Sequence, residues 1–406
     1  MNTYAQSVDR PDYSIEREPL LQAFDATFDP SKDRDLIRAA INTALSRIDA
    51  GLETFGDQYP APSSIDGVYA PMDNVEWTNG FWTGLLWLAF ELTGEEKYKS
   101  AGLKQVDDFR ARILDRVNVD HHDLGFLYSL SCVSAYKLTG SRAARDAAVE
   151  AANLLYKRYL PNAGIIQAWG DLDDPEQAGR MIIDCNLNLP LLYWAAAESG
   201  NKVLKLAADS HIERAARHIV RADGSTHHTF HMDPVSGAPK YGSTHQGFSD
   251  DSCWSRGQAW GITGFPLVYR YCANPRLVQL SARLANYFLN RLPADSVCCW
   301  DLVFTDATRE RDTSAAAIAV CGLLELGKNL PQADPDIGSY RNAAMAITRN
   351  LIWNYSCASG DAGTGLLQEG VYHMPNNVGV GESCIWGDYF YMEALVRLTR
   401  IWDPYW

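Results

Sequence analysis

Two kinds of helical pattern alternate along the chain. Six stretches are apolar on almost every face: "GFWTGLLWLAFELTG" (80–94), "GFLYSLSCVSAYKLTG" (125–140), "LNLPLLYWAAAESG" (187–200), "GQAWGITGFPLVYRY" (257–271), "TSAAAIAVCGLLELG" (313–327) and "GDYFYMEALVRLTRI" (387–401). Between them run segments with a single apolar stripe, such as "YKSAGLKQVDDFRARIL", "SRAARDAAVEAANLLYKRY" and "NPRLVQLSARLANYFLNRL". A helix apolar all round is buried, and one with a single stripe covers a core from outside. The alternation therefore predicts an inner ring of helices wrapped by an outer ring. "RDLIRAAINTALSRIDAGLETF" near the start supplies the sixth outer helix. The fold class expected is all-α, an (α/α)6 barrel with six inner and six outer helices, formed as one domain over 34–406 after an N-terminal extension over 1–33. Glycines at the ends of several inner segments fit helix C-caps.

An open α-solenoid would use the same helices. The loops favour closure, because the unusual polar residues collect ahead of the inner helices and not after them. "DNVEWTN", "VDHHD", "GRMIID", "DDSCWSR", "RERD" and "ESCIWGD" would all reach one face of a ring. A solenoid would string them out.

Composition narrows the partners. The 406 residues carry 36 Lys+Arg against 50 Asp+Glu, a formal net charge of -14. Nucleic acid and anionic membrane both require a basic face, so neither is expected as the main partner. An acidic ligand would need a local basic pocket. The start lacks the basic stretch and apolar run of a secretory signal, and no run of about 18 apolar residues appears. Nine cysteines without CxxC spacing, two of them adjacent at Cys298 and Cys299, suit buried thiols in a reducing compartment. The expected location is cytoplasmic, with no disulfide framework and no cysteine-zinc site.

Two acids stand out on the proposed face. Asp184 lies among Ile182, Ile183, Cys185 and Leu187. A helix N-cap is the plain reading of such an acid, but Pro190 belongs in a first turn and points to Asn188 as the better cap. An acid in apolar surroundings keeps its proton near neutral pH and can donate it. Asp123, with Asp120 as local rival, directly precedes the second inner helix, where capping is again an alternative. His121 and His122 lack HxxxH or HxxE spacing, so a hydrogen bond from His122 to substrate is preferred over a metal, and no cofactor is expected. In "STHQGFSDDSCWSRGQAWG", His245, Gln246, Trp254, Arg256 and Trp260 combine aromatic planes with hydrogen-bonding and cationic groups. That set suits a sugar ring bearing an acid, although each Trp alone could be core. Trp77, Trp82, Trp169 and Trp386 fall near the other loops.

"DNVEWTNGFWTGLLWL", "DHHDLGFLYSL", "AGIIQAWG", "GRMIIDCNLNLPLLYWA", "THQG...WSRGQAWG" and "IWGDYFYMEAL" closely resemble the unsaturated glucuronyl hydrolases of glycoside hydrolase family 88, over nearly the whole chain from about Leu36. The resemblance implies an (α/α)6 barrel that removes the 4,5-unsaturated uronic acid left at a non-reducing end by a polysaccharide lyase. It also implies that Asp184 and Asp123 are the essential carboxylates. Asp184 would protonate C4 of the enol ether and then take a proton from the water adding at C5, while ionised Asp123 stabilises the cation. By matching position, Trp77, His122, Trp169, His228, Gln246, Trp254, Arg256 and Trp260 become substrate-binding candidates, with Trp169 on the leaving sugar and Arg256 on the carboxylate. "YHMPNNVGVGES" (372–383) has no Lys or Arg, where members of that family favouring sulfated disaccharides are expected to offer basic residues, so the resemblance implies a preference for unsulfated ones.

Three other functions fit parts of this pattern. An unsaturated rhamnogalacturonyl hydrolase would share fold and double bond, and an inverting glycosidase would also use two carboxylates. A non-catalytic glycan-binding protein would use the acids as caps and the tryptophans as a platform.

Overall fold

The computed structural model describes residues 16–24, 32–306, 308–358 and 363–406. Of the expected extension, residues 1–15 and 25–31 lie outside the described residues. Residues 16–24 run without helix or strand across the outside of the barrel, where Arg17 pairs with Asp334 at 2.7 Å and Glu18 with Arg291 at 2.7 Å.

The helices follow in outer and inner pairs. Outer α1 (Lys32–Phe55) precedes inner α2 (Asn79–Thr93). Outer α3 (Glu96–Leu114) precedes an inner rod made of α4 (Leu124–Tyr128), a π-helical turn (Ser129–Val133) and α5 (Ser134–Thr139). Outer α6 (Arg142–Lys157) and inner α7 (Cys185–Ser199) come next, then outer α8 (Lys202–His218) and inner α9 (Ser255–Cys272). Outer α10 (Pro275–Leu289), inner α11 (Thr313–Asn329), outer α12 (Ile337–Asn350) and inner α13 (Ile385–Thr399) complete the set.

Each inner element packs on the next, α2 on α4, α4 on α7, α7 on α9, α9 on α11 and α11 on α13, and α13 returns to α2. This closure makes a toroid and rules out the solenoid. Burial follows the patterning: α7 buries every residue from Cys185 to Ala195, whereas α10 leaves a face of Arg276, Gln279, Arg283 and Tyr287 only half-buried. Gly94, Gly140 and Gly200 cap α2, α5 and α7 in the left-handed conformation. Gly327 does not end α11, which runs on to Asn329 and stops ahead of Pro331.

Small antiparallel sheets stand above the inner helix N-termini, an addition that helical periodicity did not predict. Arg180–Ile182 pairs with Thr229–Met232, which pairs with Pro239–Ser243, and Gly370–His373 pairs with Val378–Glu382. Among the described residues, no helix is long and apolar enough to cross a membrane.

Candidate active site

The N-terminal ends of α4 and α7 bring the two acids together. Asp123 and Asp184 both occupy N-cap positions, yet neither side chain accepts a capping hydrogen bond. The capping alternative fails for both. The helix boundary also differs from expectation, since α7 begins at Cys185 and places Asn188 and Pro190 inside it. Asn188 is no cap. Its Oδ1 accepts the Phe126 N–H at 2.8 Å and its Nδ2 donates to the Asp184 carbonyl at 3.2 Å, joining the two helix starts.

The acids differ in environment. Asp184 is 7% exposed and its Oδ1 is buried without a hydrogen-bond partner. Burial pushes its carboxyl up to about 7; the positive charges of His122 and Arg256 oppose this, and Asp123 adds to it. Burial also works against ionisation of Asp123, but the neighbouring imidazolium outweighs it and holds the carboxyl well below the usual range. His122 Nε2 lies 3.3 Å from Asp123 Oδ1. Burial depresses His122 in turn, and the Asp123 charge reverses that and pushes it up to about 10. At neutral pH the site therefore holds an ion pair, His122 with Asp123, beside a carboxylic acid that can still donate its proton.

Asp388 shows why burial alone does not find the acid. Its carboxyl is also pushed up to about 7 by burial. But Asp388 accepts from the Leu366 and Leu367 N–H groups and from the Tyr69 hydroxyl, so both oxygens are used. It clamps a loop. Asp312 likewise is a true cap, accepting from the Ser314 and Ala315 N–H groups.

The neighbours of Asp123 have structural work. Asp120 pairs with the buried Arg158, which also donates to the Gln167 and Gly170 carbonyls. His121 Nδ1 accepts the Asp123 N–H at 3.1 Å, and its Nε2 faces the Asn118 carbonyl at 2.9 Å. Both ring nitrogens are thereby engaged, and the loop that carries Asp123 is closed. Among the described residues, no group of three or more His, Cys, Asp or Glu could hold a metal ion.

The expected binding residues separate into two groups. Trp77 is partly exposed and stacks on Trp386 at 5.3 Å, with its Nε1 donating to the Tyr372 hydroxyl. Trp169 is also partly exposed, next to His245 at 5.5 Å and under the Arg180 guanidinium at 5.0 Å. His228 lies 4.5 Å from Trp254, and its Nδ1 accepts the His245 N–H, which leaves Nε2–H as a buried donor with no partner. Burial and the nearby His245 and Arg256 keep His228 neutral, well below the usual imidazole range.

Trp260 and Arg256 lie deeper than Trp77 and Trp169. Trp260 is 0% exposed, between Phe126 and Phe390 inside the barrel, and its Nε1–H is buried without a partner. Trp82 is likewise core, edge-on to Phe55 of α1. Arg256 does not present an open fork. Its Nη1 donates to Asp312 and the Val371 carbonyl, and its Nη2 to Gln246 and the Tyr372 carbonyl, which leaves only Nε–H for a ligand. Its clearest action is to hold Gln246 by Oε1, so that the Gln246 amide NH2 is turned elsewhere. Asn188 is marked in the sequence only as a cap, Asp312 only by the loop "RERD", and Tyr372 by neither periodicity nor composition.

The family model described as Glycosyl Hydrolase Family 88 matches residues 48–349. An unsaturated chondroitin disaccharide hydrolase of Streptococcus pyogenes serotype M1 is 45% identical, over 98% of this chain and 100% of that protein. The crystal structure of an unsaturated glucuronyl hydrolase from Streptococcus agalactiae superposes with a TM-score of 0.90 at 44% identity, covering 96% of this chain and 95% of that one. A point mutant of the S. agalactiae enzyme complexed with dGlcA-GalNAc6S gives a TM-score of 0.82 at 43% identity, covering 91% and 93% of the two chains.

Proposed function

The chain belongs to Glycosyl Hydrolase Family 88, and on that premise we propose that it removes the 4,5-unsaturated uronic acid from the non-reducing end of lyase-generated glycosaminoglycan disaccharides. The observation that carries this reading is the opposed protonation of two adjacent carboxyls, Asp184 held neutral and Asp123 held ionised. The names of the relatives support the substrate class.

The chemistry follows from the enol ether. Asp184 gives its proton to C4, and positive charge spreads over C5 and the ring oxygen beside the Asp123 carboxylate. Water adds at C5 and returns a proton to Asp184, so the acid is regenerated within one cycle. The hemiketal then opens at the C5–ring oxygen bond, giving a ketone at C5 and a hydroxyl at C1. Collapse at C1 expels the leaving sugar as an alcohol. Bond cleavage thus follows from hydration.

In this reading His122 keeps Asp123 charged, and the free Nε2–H of His228 and the amide of Gln246 are donors for substrate oxygens. Trp77 and Trp169 supply the open aromatic surfaces, and the buried Trp254 backs His228 and Arg256. Arg256 contributes one donor, Nε–H, to the uronate carboxylate. Lack of Lys and Arg over 372–383 supports unsulfated disaccharides as the better substrates. We place the protein in the cytoplasm, because its nine cysteines are all free thiols and eight of them are buried, which suits a reducing compartment.

The test follows the ultraviolet absorbance of the conjugated ene-carboxylate in unsaturated chondroitin disaccharide, with wild type, Asp184→Asn and Asp123→Asn side by side. Loss of absorbance with wild type alone supports the reading. A wild type that leaves the absorbance unchanged, while cleaving a saturated oligosaccharide, would establish the ordinary glycosidase instead.

A further inference from the structure

The hydrolysis scheme leaves one buried group unused, the thiol of Cys185. It follows Asp184 directly, is 0% exposed, and lies within hydrogen-bonding reach of two imidazoles, His122 from the Asp123 loop and His211 from outer helix α8. Both histidines are also 0% exposed. His211 Nδ1 accepts the Ile166 N–H at 2.8 Å, so the proton of its neutral ring sits on Nε2. That Nε2 finds no conventional partner, and neither do the two ring nitrogens of His122. Buried polar groups are rarely left unsatisfied, because desolvation without a bond is costly. His211 Nε2 and one of the two His122 nitrogens are left for the Cys185 sulfur. With His122 Nε2 turned to Asp123 Oδ1, Nδ1 is the nitrogen left for Cys185.

We propose that Cys185 and His211 are positioning residues for the hydrolysis assigned above: they fix the His122 ring from behind, so that it presents a protonated Nε2 to Asp123. The inference rests on that functional reading for its kinetic consequences and on the buried cluster for its structure. His211 donates to the thiol sulfur and favours its anionic form, and an electron-rich sulfur holds the proton on His122 from the side opposite Asp123. Burial pushes the thiol up, but the two imidazoles outweigh this and bring Cys185 down to about 6. The other charged or titratable groups acting with His122 are Asp123, Asp184 and His228, and Arg256 acts on Asp184 and His228 in turn. A neutral alanine at 185 would leave only Asp123 to hold the proton of a fully buried ring.

The experiment uses the full chain with uniformly 15N-labelled histidine, and assigns the His122 ring signals by their loss in His122→Gln. In wild type the ring is expected to stay doubly protonated at pH 8. In Cys185→Ala it is expected to lose that proton by pH 8, and Cys185→Ser is expected to restore part of it. His211→Gln, which changes the second layer from a different helix, is expected to act in the same direction if Cys185→Ala does not fold. Turnover of unsaturated chondroitin disaccharide is read in parallel. Its kcat is expected to fall about tenfold or more in Cys185→Ala with KM within about twofold, as for other supporting partners of a working group. The acidic limb of the kcat profile is expected to move up as Asp123 loses its cation. An unchanged His122 titration in folded Cys185→Ala or His211→Gln overturns the proposal, whatever the substrate proves to be. A wild type inactive on every unsaturated disaccharide, with the histidine titration as expected, sinks the functional reading and leaves the cluster standing.

Discussion

Gly125 lies against Asn188 so closely that a Cβ on the glycine would fall 2.3 Å from the Asn188 Cα. The contact brings the start of α4 onto α7 and so sets Asp123 relative to Asp184. Asn188 then closes the same joint by bonding the Phe126 N–H and the Asp184 carbonyl. The spacing of the two acids is thus built into helix packing and does not depend on the acids themselves.

Gly125→Ala should therefore harm activity beyond its effect on folding. Backbone has to move to admit the methyl group, a strain of about 1–3 kcal/mol. Because the shift occurs two residues from Asp123, kcat/KM is expected to drop about a hundredfold in molecules that remain folded. Thermal melting and turnover measured on one preparation check this. A variant that melts lower but keeps wild-type kcat/KM would show that the helix contact does not set the acid pair.

The pH profile follows from Asp184. Donation to C4 needs its neutral form, and its carboxyl titrates near 7, so kcat/KM should fall by one power of ten per pH unit above about 7. Asp123 stays ionised through the acid range, so no loss is expected between pH 7 and 5 from that side. A profile that rises from pH 6 to 9 would assign the essential carboxyl the opposite role, that of a base.

Burying the Asp184 carboxyl makes stability depend on pH. The Asp184 carboxyl lies at about 7 in the fold against an ordinary value of 3.8. Folding therefore favours the protonated form. The stability this contributes is complete below pH 3.8 and is lost as pH rises through about 7, a swing of about 4 kcal/mol. Asp184→Asn removes the charge that must be desolvated, so it should abolish turnover and raise the melting temperature at pH 8, with little gain at pH 4. No gain at pH 8 would mean that the carboxylate finds a partner not seen here.

Much of the ring was legible because burial period is a local property of sequence. The six all-apolar stretches become the six inner helices, and Gly94, Gly140 and Gly200 end three of their elements as expected. Asp123 and Asp184 could be marked from their neighbours and from family likeness. What stayed hidden was long-range pairing. That Trp260 faces Phe126 and Phe390, and that Arg256 spends its fork on Asp312, Gln246 and two carbonyls, depends on contacts from five separate parts of the chain. Asn188 was misread for a related reason: Pro190 argued for a later helix start, but Pro is tolerated inside α7, where Asn188 is needed for the joint.

The Arg256 network gives a prediction opposite to that for a free substrate clamp. Arg256 and Asp312 are both buried, and their ion pair at 3.0 Å lies under the Trp254 ring, 4.4 Å from the guanidinium. Asp312→Ala would leave an uncompensated buried cation and also uncap α11, so destabilisation of about 3–5 kcal/mol is expected. An arginine that simply gripped substrate would bind it more tightly once released from Asp312, and KM would fall. Here KM should rise, because Gln246 is oriented by the same guanidinium and loses its anchor when that group shifts.

Sulfation is the sharpest remaining discriminator of substrate. The turn between Gly370–His373 and Val378–Glu382 carries Met374, Pro375, Asn376 and Asn377, none of them cationic, so a sulfate on the leaving sugar would meet no charge there. Arg180 and His245 stand on the Trp169 side of the site, but burial keeps His245 below the usual imidazole range and Arg180 lies against the indole. An unsulfated chondroitin disaccharide should therefore be turned over with higher kcat/KM than its 6-sulfated analogue. If the leaving sugar reaches this turn, Asn377→Lys should narrow that gap chiefly through KM, since the added charge would act on the leaving sugar and not on the double bond. Faster turnover of the sulfated disaccharide by wild type would shift the sulfate to the Arg180 side and overturn the preference drawn from the turn.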